Sequence, residues 1–68
     1  MNAHFLRGYM ERHGDTMDTL ATALKIHPHT LYMKMSGGRG QQFNQKELQA
    51  IAVRYSLTPQ EVFDVFFS

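Results

Sequence analysis

The run Leu24-Lys25-Ile26-His27-Pro28 constrains this chain more than any other feature. An apolar pattern at helical spacing enters it through Met17, Leu20, Ala21 and Leu24, and Leu31 resumes the pattern beyond it. Proline has no N–H and a fixed φ, so Pro28 fits the first turn of a new helix and disrupts the interior of an old one. The segment therefore divides into two helices, one ending near Leu24 and one running from Pro28 to about Ser36, joined by Lys25-Ile26-His27. So short a connection forces a steep crossing. It drives Leu24 and Ile26 inward and sets Leu31 on the inner side of the second helix, leaving the opposite side to solvent.

Three more helices are written around this pair. The first spans about Asn2 to Arg12, with Phe5, Leu6, Tyr9 and Met10 as its apolar stripe and His13-Gly14 as its end. Asp15 is the expected cap of the next helix, with Asp18 in its first turn. Asn44-Gln45-Lys46-Glu47 and Thr58-Pro59-Gln60-Glu61 both read as capping boxes, each with an apolar pair at staple spacing, Phe43 with Leu48 and Leu57 with Val62. The fourth helix (about 45 to 55) then buries Leu48, Ile51, Ala52 and Tyr55. The fifth (about 59 to 67) carries Val62, Val65 and Phe66 on one arc. Without strand alternation, repeats or a long linker, residues 1–68 read as one compact all-α domain.

Composition narrows what such a domain does. A chain of 68 residues hides only about 60 per cent of its unfolded surface, and with no cysteine it has neither disulfide nor thiolate zinc to help. Apolar residues at 43% and charged ones at 19% are those of an ordinary globule. The longest aliphatic stretch, Ala50 to Val53, is far too short to span a membrane, and no secretion signal is visible, so the expected compartment is the cytoplasm. Scattered carboxylates and the lack of a nucleophile motif argue against an enzyme. No cofactor or small-molecule ligand is expected. His27 and His29 do not read as a metal pair, because alternate residues of a helix point about 200° apart. Five cations face three anions in residues 1–43 and two face three in residues 44–68, which assigns any anion-binding surface to the first part.

At Leu20-Ala21, Leu24, Ile26, Thr30-Leu31 and Gly37 the chain resembles the Cro/CI-type (XRE-like) helix-turn-helix family, closest to small phage Cro-like regulators. The starts at Asn44 and Thr58 are similar to that family's fourth and fifth helices, so the resemblance covers nearly the whole chain. It implies a five-helix, lambda-repressor-like DNA-binding domain, in the cytoplasm of a bacterial or phage-infected cell. The implied activity is repression of transcription by a homodimer on a double-stranded DNA operator, controlled by its own concentration. Three positions depart from the family pattern. Lys25 stands where the turn commonly has glycine, which predicts a less left-handed backbone there. Thr16-Met17 replace a polar amide, and Lys34-Met35 replace an aromatic-acidic pair.

The resemblance sets the third helix in the major groove, with His27, His29, Thr30, Tyr32 and Met33 at the family's base-reading positions. His29 offers a donor to guanine, Thr30 a hydroxyl or a methyl contact, and Met33 an adaptable apolar surface. None makes the bidentate Arg–guanine or Gln–adenine pair, so moderate specificity aided by DNA shape is expected. Backbone contacts fall to Thr16 and to Lys34, Arg39, Gln41, Gln42 and Asn44 around the next loop. Blander readings stand beside these: solvated histidines, a second core face for Tyr32 and Met33, an idle Arg39. Phe63 and Phe67 form a separate strip that either closes the core against the first helix or makes a symmetric dimer contact. The competing class is an antitoxin-like or anti-regulator module that meets a protein through Tyr32, Met33 and Phe63.

Overall fold

The computed structural model describes residues 2–37 and 42–67. They form five helices, α1 (Ala3–Arg12), α2 (Met17–Leu24), α3 (Pro28–Ser36), α4 (Gln45–Arg54) and α5 (Pro59–Phe66), with no strand among the described residues. None of the helices is long and apolar enough to cross a membrane. The boundaries agree with the sequence reading because each helix start has a side-chain acceptor for its orphan N–H groups. Asn2 Oδ1 accepts from the N–H of His4 and Phe5 at 3.1 and 3.3 Å. At Asn44 and Thr58 the boxes are complete, with Glu47 and Glu61 accepting in return from the N–H of the cap residue.

The cap of α2 differs from expectation. Thr16 fills it, accepting from Thr19 N–H at 3.2 Å while its own N–H donates to Thr19 Oγ1 at 2.9 Å. Asp15 is displaced because Gly14, at φ +72°, turns the chain so that Asp15 N–H bonds Met10 O at 2.8 Å. The Asp15 carboxylate then accepts from Arg54 Nε and Nη2 at 2.7 and 2.6 Å, from Tyr55 Oη at 2.7 Å and from Thr19 Oγ1 at 2.7 Å. This knot ties the α1–α2 turn to the end of α4. The Arg54 bonds, ahead of those from Tyr55 and Thr19, hold Asp15 well below the usual carboxylate range; burial and then the Asp15 bond push the Tyr55 phenol up.

The core draws on every helix. Leu6 and Met10 come from α1, Leu20 and Ala21 from α2, and Leu31 and Met35 from α3; Ile51 and Tyr55 come from α4 and its cap, and Val65 and Phe66 from α5. Around it α2 packs on α3 and α4, and α1 on α5. Phe43 meets Phe66 edge to face at 5.7 Å. Two expectations change here, and one of two open alternatives closes. Phe5 is 47% exposed, because Leu6 and Met10 hold the inner line of α1 and Phe5 lies about 100° away from Leu6. Phe63 and Phe67 are 53% and 62% exposed, so they do not close the core. Lys25 takes φ 60° and ψ 40°, fully left-handed, without glycine's freedom.

Candidate nucleic-acid interface

α3 has two unlike sides. Its inner side carries Leu31 and Met35, 0% and 3% exposed, and pins it to the core. Its other side carries His29 and Tyr32 in the open, with Thr30 and Met33 half-buried along the flank. The His29 ring lies near-parallel to that of Tyr32, with centroids 6.4 Å apart and planes 21° from each other. That pairing restrains two side chains which would otherwise lose rotamer freedom on binding. His27 precedes α3, exposed, and its Nδ1 accepts the His29 N–H at 3.0 Å.

The five residues expected at the bases therefore lie on the cap and the first six residues of one short helix, and Tyr32 is open rather than part of a second core face. α3 carries no acidic residue. Of the carboxylates on the elements around it, Glu47 is paired with Lys34 and Asp15 with Arg54, while Asp18 is exposed on α2. Lys25, exposed in the turn two residues before His27, is a cation near this surface that the sequence pattern does not mark as functional. Its position inside so short a turn is the signal that could have found it.

The residues assigned to the DNA backbone divide. Thr16 is exposed at the N-terminus of α2, its Oγ1 engaged with Thr19. Gln42 and Asn44 are exposed ahead of α4, Asn44 serving as its cap. Lys34 is drawn inward: its ammonium donates to Glu47 Oε1 at 2.9 Å and to Gln42 O at 3.1 Å, and its side chain is only 13% exposed. Glu47 also accepts the Asn44 N–H at 2.9 Å. Lys34 thus fastens the end of α3 to the start of α4 instead of standing free for a phosphate. Arg39 and Gln41 lie outside the described residues.

A third surface lies on α5, where the Phe63 and Phe67 rings sit 6.2 Å apart in solvent. Two large exposed aromatics side by side are unusual for so small a surface. No family model, no curated protein and no solved structure matches the chain.

Proposed function

We propose that this chain is a sequence-specific double-stranded DNA-binding regulator of Cro-like type, with α2 and α3 as its helix-turn-helix and α3 as the recognition helix. The observation that carries the reading is the side of α3 bearing His29 and Tyr32. It is open, free of acidic residues and held rigidly from behind by Leu31 and Met35. A helix is about 10–12 Å across its side chains, which fits a major groove about 12 Å wide.

His29, Thr30 and Met33 read base edges, with Tyr32 at a phosphate or along an edge and His27 beside the entry point. Thr16, Gln42 and Asn44 meet the backbone, and the resemblance adds Arg39 and Gln41 to them. The exposed Phe63–Phe67 pair supports a two-fold contact between copies, which sets two recognition helices on half-sites about 34 Å apart. The same pair also supports the competing reading, a module whose partner is another protein.

Selection of bound sites from a random duplex pool tests the proposal. An inverted repeat is expected. His29→Ala and Met33→Ala should each weaken the selected site by about 1–3 kcal/mol and leave random duplex almost unchanged. Enrichment of no site, with affinity indifferent to both changes, would hand the molecule to the protein-partner reading.

A further inference from the structure

The His27 imidazole is used from one side only. Its Nδ1 accepts the His29 N–H at 3.0 Å, filling a capping place more commonly held by Ser, Thr, Asp or Asn. That bond decides where the ring proton sits. A ring nitrogen that accepts carries no hydrogen, so in the neutral ring Nε2 bears the N–H. The residue is exposed, and Nε2 has no partner among the described residues. The first turn of α3 thus ends in one directed donor whose tautomer is set by the helix it caps.

We infer that His27 is a tautomer-locked donor. The cap aims Nε2–H at one lone pair on the duplex, guanine N7 or a phosphate oxygen. The duplex half rests on α3 being the groove helix; the tautomer half stands without it.

No neighbour competes for the ring. The charged and titratable groups of α2, α3, their turn and the first turn of α4 are Asp18, Lys25, His29, Tyr32, Lys34, Lys46 and Glu47. Lys34 and Glu47 pair with each other, and none of the seven side chains bonds to the ring.

Two measurements test this separately. In labelled protein, a scalar coupling across the N–H···N bond from the His29 amide to His27 Nδ1 is expected. Its absence overturns the cap, whatever happens with DNA. His27→Ser keeps a capping acceptor but is too short to reach where Nε2 stood. It should keep the parent's Tm and lose about five- to tenfold in affinity for a selected duplex, whereas His27→Ala loses both.

Equal affinity of His27→Ser and parent overturns the donor. If the difference disappears on 7-deazaguanine duplex the acceptor is the base, and if on methylphosphonate duplex it is the phosphate. Its survival on both overturns a direct bond. A parent that binds no duplex at all overturns the groove reading and the donor with it, while the coupling still decides whether the cap exists.

Discussion

The α2–α3 and α4–α5 turns share a backbone and differ in chemistry. Each puts a non-glycine residue in the left-handed region, Lys25 at φ 60° and Ser56 at φ 53°. Each follows it with a half-buried apolar residue whose N–H reaches back five positions, Ile26 to Ala21 O at 3.0 Å and Leu57 to Ala52 O at 2.9 Å. A cap and a proline come next in both, His27-Pro28 and Thr58-Pro59. At Thr58 the polar groups are consumed internally: Thr58 and Glu61 bond each other reciprocally, and the second Glu61 oxygen takes the Tyr9 hydroxyl at 2.9 Å. At His27 one nitrogen is used and the other is left over. One turn serves the fold alone. The other holds a helix in place and still presents chemistry outward.

The largest expected effect comes from opening a sealed end. Glu47→Ala leaves the Lys34 ammonium and the Asn44 N–H without their acceptor, and urea unfolding should register a loss of about 3 kcal/mol. A loss below about 1 kcal/mol would mean that this knot does not seal α3 to α4.

Acid should come next. The Arg54 bonds hold Asp15 low, and the Thr58 N–H, then the Tyr9 hydroxyl, hold Glu61 low. The folded chain therefore binds fewer protons than the unfolded one. Stability from both groups is complete above the ordinary carboxylate range, near about pH 4, and drains as pH falls below it. Urea midpoints followed downward in pH should fall for the parent and fall less for Asp15→Asn.

Thr58→Ala sharpens the contrast between the two caps. It should cost about 1 kcal/mol in stability and leave duplex affinity unchanged, whereas His27→Ala should lower both. Equal behaviour of the two variants toward DNA would erase the distinction. The smallest changes run the other way. Lys25→Gly and Ser56→Gly should each stabilise by up to about 1 kcal/mol in thermal melts, in similar amounts, because each relieves the same left-handed strain.

What could be read from the chain follows from how local each signal is. The starts at Pro28, Asn44 and Thr58 depend on residues within one turn, and all three stand where the spacing set them. Leu31 and Met35 are inward for the same reason that Leu20 and Ala21 are, a period fixed by the helix. The errors arose where a side chain chose a distant partner. Asp15 left a local cap for Arg54 and Tyr55, 39 and 40 positions on, and Lys34 left solvent for Glu47, 13 positions on. Lys25 shows a second kind of limit, because the closure of a turn by tertiary packing can force a backbone that composition disfavours.

The central claim is that the outward side of α3 is the surface a duplex meets. Titrating labelled protein with a short duplex while following its amide and methyl resonances tests this without knowledge of the operator. The account predicts the largest changes within residues 27–33, bordered by Thr16, Gln42 and Asn44, with little at Ser56 to Thr58. Unmoved resonances at α3, or changes centred on the α4–α5 turn or on Phe63 and Phe67, would contradict it.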